Sequence, residues 1–507
     1  MVATPIKIRS LAGIKRDGTR FEGEYYVDGA WVRFQRGLPR KMWGYRATSN
    51  ELTGITRGMH QYSANNLLYV HLGNSDYLDS IRVDNNGNSS VVYNRTPAGF
   101  AASANNMWQF DVLYDSITTA ATLIAHAAPN LSDIASETNA SIYSGAITGT
   151  GALTSPGGPS ISGGIAVLHP FVVAFGSAGY FAWSAPNDPS DWTTASGGGD
   201  AFITGQKLIA CLPARGGSAA SPSGILWSLD SVIRAYYTGA TTKWTFDTVS
   251  AQSSIISSQC AIEYDGIFYW VGVDRFLMYN GVVKEVPNTM NLNFFFDNIN
   301  WAYRQKVFAI KVPRWGEIWW CFPYGDATEC NWAVVYNVRE NTWYDTPLPN
   351  TGRSSGIYAA VYHHPLMTGV GQNGAYTLWQ HEFGVDEING QQISPIPSFF
   401  ETGDISMTTS QDPKNRSMRV SMIEPDFVQV GDMDVQITGR ANARAPEVIS
   451  EARTFPAQAS NPQQQVTFHK DIRREMRFRF TSNTLGGDYQ MGQPLAHVEP
   501  ADGTVLG

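Results

Sequence analysis

The most constraining feature of this chain is a recurrence: short aromatic and β-branched runs, each closed by turn residues, return about every 50 residues. Ile267–Val271 (IFYWV) reads as a strand, Gly272–Asp274 as a turn, Arg275–Tyr279 as the next strand and Val282–Val286 as its return. Asn280-Gly281 predicts a type I′ hairpin, because that turn needs two residues with φ > 0 and Asn-Gly accepts both. The pattern repeats at Ile318–Phe322, Trp332–Tyr336 and Thr342–Tyr344. Similar units begin near residues 58, 108, 165, 208, 258, 307 and 354, with Leu67–His71, Phe171–Phe175 and Tyr376–Trp379 among their strands. Helical periodicity is nearly absent. The exception is Met290–Arg304, which follows Pro287 without period-2 alternation and reads as a short helix on a connection.

Four-stranded units of roughly 40–50 residues have the period of propeller blades. Each blade needs three tight turns, and wedge-shaped packing uses bulky aromatics. That accounts for 48 Gly in 507 residues and for 12% aromatic residues. The expected class is all-β: a β-propeller of six or seven blades over 58–390, then a C-terminal β-sandwich over 391–507. Stacked β-sandwiches would use similar strands. Residues 1–57 read as a basic arm with the first strands. Residues 145–164, with seven Gly, read as a long inserted loop. In Met418–Ile423, Asp434–Gly439 and Arg477–Thr481 charges alternate with apolar residues, so one face is buried and one is wet.

Charged residues are only 16%, against about 25% in an average globular chain. Low charge with many aromatics excludes disorder, and scarce Lys and Glu exclude a long coiled coil. The net charge of −8 is unevenly placed. Residues 1–60 hold 11 basic and 5 acidic side chains, 61–400 hold 14 and 25, and 401–507 hold 11 and 14. An acidic body is unsuited to wrapping tightly on nucleic acid, which needs a Lys/Arg footprint. The basic arm suits an acidic protein partner, or is a solvated terminus. Four cysteines without a CxxC pair argue for free thiols in a reducing cytoplasm, not a disulfide framework or a zinc site. Met1–Ile14 carries charges and no apolar core, so no signal peptide is expected. Thr138–Asn187 lacks Asp, Glu, Lys and Arg, but Pro156, Pro159, Pro170 and Pro186 forbid a membrane-spanning helix, and a soluble protein is expected.

Walker, GxSxG, HExxH and EF-hand patterns are absent. His363 and His364 are adjacent, and neighbours on a strand point to opposite faces, so they make a poor ligand pair. No catalytic, cofactor-binding or metal-binding residue is expected. Ser184–Trp192 comes nearest to the Asp-box turn of sialidase-type propellers, yet it lacks the Gly and occurs once. Asp188 and Asp191 read as turn residues that bond their own backbone. A glycan-binding or glycan-hydrolysing propeller is the alternative to a purely structural protein. The aromatics lie inside strand runs without a basic groove, which disfavours base stacking.

Several segments resemble one family, the tail nozzle or tail hub proteins of short-tailed bacteriophages, in the packaged-DNA stabilisation branch. Trp31–Tyr45 contains Arg36-Gly37-Leu38-Pro39-Arg40-Lys41-Met42-Trp43-Gly44, similar to the family's R-G-x-P-x-K-x-x-G opening. Tyr236–Thr242 (YYTGATT) resembles a central family element, followed by the Gly-Val-Asp turn at 272–274 and the Tyr-Asn-Gly turn at 279–281. Val335–Trp343 and Gly487–Gly492 (GDYQMG) also look familial. The resemblance implies a virion tail protein assembled in the bacterial cytoplasm. Such a protein forms a homo-hexameric ring below the portal and adaptor, extends the DNA channel, retains and then conducts the genome, and carries a tail fibre or needle. It implies no enzyme activity, cofactor or integral membrane association. An acidic lumen over 61–400 would let duplex DNA slide without sticking. Lys15, Arg16, Arg20, Arg36, Arg40 and Lys41 are then the candidate adaptor contacts.

Overall fold

The computed structural model describes residues 3–20, 24–115, 118–214, 221–240, 243–371, 374–407, 416–457 and 466–501. Thr241 and Thr242 of the central family-like element lie outside them. The described chain is all-β, with seven small antiparallel sheets in chain order. Sheet 1 is Met59–Ala64, Leu67–Gly73, Leu78–Val83 and Tyr93–Asn94, and sheet 2 is Asn106–Asp115, Ala120–Pro129 and Ile142–Ala146. Sheet 3 is Gly164–Leu168, Phe171–Phe175, Tyr180–Trp183 and Gly199–Phe202. Sheet 4 is Leu208–Pro213, Ser223–Ser228, Val232–Tyr237 and Trp244–Ser250. Sheet 5 is Ile262–Tyr264, Ile267–Val271, Phe276–Tyr279 and Val283–Glu285. Sheet 6 is Phe308–Val312, Glu317–Phe322, Trp332–Asn337 and Thr342–Pro347. Sheet 7 begins with Ser355–Ala359, His364–Val370 and Tyr376–His381. Every sheet starts within a few residues of a start read from the recurrence.

Sheet 7 takes its fourth strand from the other end of the chain. Tyr45–Glu51 pairs antiparallel with Tyr376–His381, setting Ala47 opposite Trp379, and parallel with Asp386–Asn389. The first strands of sheets 1 to 4 contact one another in order, as do those of sheets 5 to 7, and that of sheet 7 contacts that of sheet 1. Sheet 4 reaches sheet 5 through Trp227, whose ring lies 6.0 Å from Phe268 and 5.6 Å from Trp270.

Both faces of these sheets are buried, which explains the near-continuous apolar runs. In sheet 2, Leu123 packs with Leu78 and Trp108 on the sheet 1 side, while the next residue, Ile124, packs with Ile165 and Val172 of sheet 3. The period-2 pleat sends consecutive side chains to different neighbours. Burial of each such large side chain contributes about 1.5–3 kcal/mol.

The glycine-rich segment read as a long loop is pinned rather than loose. Ser144 bridges Thr154 and Ala140 bridges Ile161, so it folds back along the three-stranded sheet 2 and buries Leu153 and Ile161. The expected short helix is present as Leu292–Asn298, followed by a 3-10 turn at Trp301–Lys306. Asp17 accepts hydrogen bonds from the Asn293 and Phe294 amides at 2.9 and 2.8 Å, tying the N-terminal segment to that helix.

The hairpin expected at Asn280-Gly281 is different. Tyr279 pairs with Val283, leaving a three-residue loop in which Gly281 has φ 108° and Asn280 does not take positive φ. A two-residue loop with both φ positive occurs instead at Arg36-Gly37, φ 54° and 74°, between Val32–Gln35 and Leu38–Lys41.

Of the remaining strands, Leu11–Ile14 and Tyr25–Tyr26 pair in parallel as a two-stranded sheet, and the others form three sheets shared by the two ends of the chain. Sheet 8 orders Thr4–Lys7, Leu495–Pro500, Met418–Glu424 and Thr467–Arg473. Sheet 9 orders Asp28–Ala30, Ser398–Glu401, Glu475–Ser482, Met433–Arg440 and Val448–Ile449. Sheet 10 orders Phe427–Val430, Asp488–Met491, Leu38–Lys41 and Val32–Gln35. Residues 1–57, read as an arm, and 391–507, read as a sandwich, are thus interleaved strand by strand. Their core is continuous with sheets 6 and 7: Phe34, Phe400, Phe480 and Tyr489 belong to one cluster with Trp319, Met367 and Trp379.

Candidate functional site

Several clusters of polar side chains sit inside this apolar frame, among them Arg440 and Arg477 with Glu401, Asp404 and Glu475 in the terminal sheets, and two bear on the segments singled out in the sequence. The first is the junction between sheets 6 and 7 and the terminal sheets. Arg33, in the strand Val32–Gln35, is fully buried. Its guanidinium donates to both oxygens of Glu382 at 2.7 and 2.6 Å, and its Nε lies 3.0 Å from Glu317 Oε1 without hydrogen-bond geometry. Glu317 also accepts from Trp319 Nε1 at 2.8 Å and from the Tyr344 hydroxyl at 2.7 Å, and Glu382 from Trp315 Nε1 at 2.7 Å. Arg33, Arg40 and Arg314 stack over Trp315 at 4.7, 4.9 and 4.9 Å.

Burial alone would lower the Arg33 guanidinium, and the two carboxylates more than reverse this. Burial holds Glu317 above the usual carboxylate range, against the opposing pull of Arg33. All four carboxylate oxygens already accept from buried donors of the protein. The cluster is built as a clamp.

Three family-like segments, distant in the chain, meet at this junction. The Arg36 and Gly37 amides donate to the Glu340 carboxylate at 2.7 and 3.2 Å, joining the N-terminal motif to the Val335–Trp343 hairpin. Gln490 of the GDYQMG strand pairs with Arg40, and Lys41 Nζ donates to the Gly487 carbonyl at 2.6 Å.

The six candidate adaptor contacts separate accordingly. Arg36 is exposed, Lys15 is half-buried, and Arg20 keeps half its side chain in solvent while pairing with Glu447 at 2.9 Å. Arg40 is partly covered by Trp315. Arg16 and Lys41 are corrected to internal residues. Arg16 bridges Asp28 and Asp345 at 2.6 and 3.0 Å, and Lys41 is fully enclosed, because strand pairing with residues 488–491 turns the basic segment inward.

The second place is a cavity of 340 Å³ lined by the first strands of sheets 1 to 4, 6 and 7 and by Ser258, Gln259 and Ala261, which precede sheet 5. Two glutamines cross it. Gln259 Nε2 donates to the Arg57 and Trp108 carbonyls at 2.8 and 3.2 Å, and Gln109 Nε2 to the Ile209 and Gly163 carbonyls at 3.2 and 3.4 Å. Gly164 packs against the Gln109 amide, and a Cβ there would displace that side chain, since it would sit 1.9 Å from Gln109 Oε1. Asp111 also lines the cavity, its carboxyl pushed up to about 6 by burial against two amide hydrogen bonds.

Asp188 and Asp191 are turn residues as expected, accepting from the Ser190 and Thr193 amides at 2.8 Å. The four cysteines are buried and unpaired. Among the described residues no three His, Cys, Asp or Glu side chains are placed to hold a metal ion, and no helix is long and apolar enough to cross a membrane. Glu317, Glu382 and Trp315 escaped the sequence reading. Their available signal was a charge beside an uninterrupted apolar strand, as in Glu317-Ile318-Trp319-Trp320 and in Val32-Arg33-Phe34. No protein-family model and no curated protein matches the chain.

Proposed function

We propose that the seven sheets are the blades of a β-propeller latched by Tyr45–Glu51, and that the protein is a structural component of a short-tailed phage virion. In this reading it is a tail nozzle or hub: a hexameric ring below the adaptor that extends the DNA channel, retains the genome and conducts it on ejection. The observation that carries the reading is the contact of Arg36–Gly44 with both Val335–Trp343 and Gly487–Gly492, the segments that resemble that family, the first at the surface and the second buried. Segments alike by accident have no reason to meet in space.

A 340 Å³ cavity crossed by Gln109 and Gln259 has room for about ten waters and none for a duplex. DNA would therefore pass between copies, along a lumen lined by the acidic 61–400 body, where phosphates are repelled rather than held. Arg36, Arg20 and Lys15 remain the adaptor-facing candidates. Native mass spectrometry of the protein with its adaptor tests the assembly, with a ring of six 55.7 kDa chains expected. A stable monomer in the presence of adaptor, or selective binding to a capsular polysaccharide, overturns the reading in favour of a glycan-directed propeller.

A further inference from the structure

Three Asn-Gly pairs fall among the described residues, at 86–87, 280–281 and 389–390, while Asn373 of a fourth pair lies outside them. Asparagine is among the thermolabile residues. A following glycine exposes its side chain to attack by the backbone, because glycine has no Cβ to hinder the approach. The glycine nitrogen must reach the side-chain carbonyl carbon, and it must be free to lose its proton. The fold treats the three pairs differently.

At Asn86 the attacking nitrogen is engaged. The Gly87 amide donates to the Asp84 carbonyl at 2.9 Å, and the Asn86 amide to Asp84 Oδ1 at 2.9 Å, which fixes the turn on both sides of the asparagine. At Asn389 the asparagine itself is held. It pairs with Gln392 as the last rung between Asp386–Asn389 and Gln392–Pro395, so its backbone stays extended, and it is half-buried. Asn280 has neither restraint. It lies outside both strands of its hairpin, Phe276–Tyr279 and Val283–Glu285, and is exposed together with Gly281 and Val282. Among the described residues neither the Asn280 side chain nor the Gly281 amide has a hydrogen-bond partner. A Cβ built on Gly281 would meet nothing within 4 Å, so no neighbouring segment crowds the loop.

We propose that Asn280 is a site of spontaneous deamidation through a cyclic imide formed with Gly281. The Gly281 nitrogen bonds to the Asn280 side-chain carbonyl carbon, the bond from that carbon to the side-chain nitrogen breaks, and ammonia leaves with the proton shed by the Gly281 amide. Water then opens the ring at either carbonyl, leaving aspartate or isoaspartate at position 280. The net change is loss of ammonia and gain of water, which adds one mass unit and one negative charge at neutral pH. Tyr279 stays buried and paired with Val283, so the change is confined to the loop. The assignment is independent of the virion role.

Peptide mapping by mass spectrometry tests this on the full chain, held folded at pH 8 and, in parallel, unfolded in urea. In the folded chain the peptide holding position 280 should gain one mass unit severalfold faster than those holding 86 and 389. In urea the three rates should draw together, because each asparagine is then followed by an unrestrained glycine. Raising the pH should speed the reaction at 280, since the attacking nitrogen must lose its proton. Asn280→Gln should abolish the early species, because the longer side chain would have to close a larger ring. A folded chain in which 86 or 389 leads, or an ordering that is the same folded and unfolded, overturns the proposal. The comparison on the wild-type chain decides the matter if the variant does not fold.

Discussion

Arg33 is the residue on which the junction depends. Its guanidinium is fully buried and hydrogen-bonded between two buried carboxylates, Glu317 and Glu382. Removing one partner of a buried ionic cluster strands the others, at a cost of about 3–5 kcal/mol. Arg33→Met should lower stability by that amount in urea unfolding followed by tryptophan fluorescence, since Trp315 and Trp319 report directly on the cluster. Lys41→Met makes the instructive contrast. Lys41 is equally buried but bonds a neutral carbonyl, and burial already lowers its pKa, so the loss should be only about 1–2 kcal/mol. Gly164→Ala probes the central cavity by volume. The new Cβ overlaps Gln109 Oε1 and should cost about 1–3 kcal/mol. The double variant with Gln109→Ala should recover part of that, because the two changes share one contact.

At the scale of elements, sheet 1 is one acid-sensitive part of the fold. His60 and His71 face each other across paired strands with ring centroids 6.3 Å apart. Among the described residues His60 Nδ1 meets no hydrogen-bond partner. Burial pushes His60 down to about 4, and burial, with His60 and Arg95 adding to it, holds His71 well below 6.5. Both stay neutral in the fold, while the unfolded chain protonates near pH 6.5. Their contribution is therefore complete above pH 6.5 and is lost as pH falls towards 4. Asp111 works in the opposite sense: with its folded value raised to about 6, its contribution declines as pH rises from 4 through 6. Hydrogen exchange at pH 5 against pH 7 should show Met59–Ala64 and Leu67–Gly73 losing protection before the strands of sheet 6. His71→Phe should reduce that difference. The boundaries of these elements were legible because burial on both faces leaves apolar runs too dense to mistake. The exceptions have physical causes. Tyr45–Glu51 is a polar strand whose partner lies more than 300 residues away, so no local pattern marks it. At Asn280-Gly281 the pairing of Tyr279 with Val283 overrides the turn preference of the dipeptide.

For the whole molecule, the charge division that looked like an arm attached to a body has become internal wiring. Arg16 pairs with Asp28 and Asp345, Arg20 with Glu447, Arg33 with Glu317 and Glu382, and Arg57 with Glu329. Most of these acids lie far along the chain, so linear charge counting could locate the surplus but not its destination. The N-terminal segment supplies strands to sheets 7, 8, 9 and 10, and in sheet 7 it pairs with Tyr376–His381. A chain beginning at residue 53 would expose the unpaired edge of Tyr376–His381, the buried carboxylates of the junction and the apolar core beneath Phe34. Long-range strand pairing of this kind forms late and is slow, which leaves such edges open to aggregation. The 53–507 fragment expressed alone should therefore aggregate or bind ANS without a cooperative urea transition. Co-expression of 1–52 as a separate chain should restore a soluble complex, because Tyr45–Glu51 is held by strand pairing, the junction ion pairs and packing rather than by the single peptide link at 52–53. Size-exclusion chromatography with a urea titration reads both outcomes. A 53–507 fragment that unfolds cooperatively at the full-length midpoint would show that the sheets close without the latch and that the N-terminal strands only decorate them.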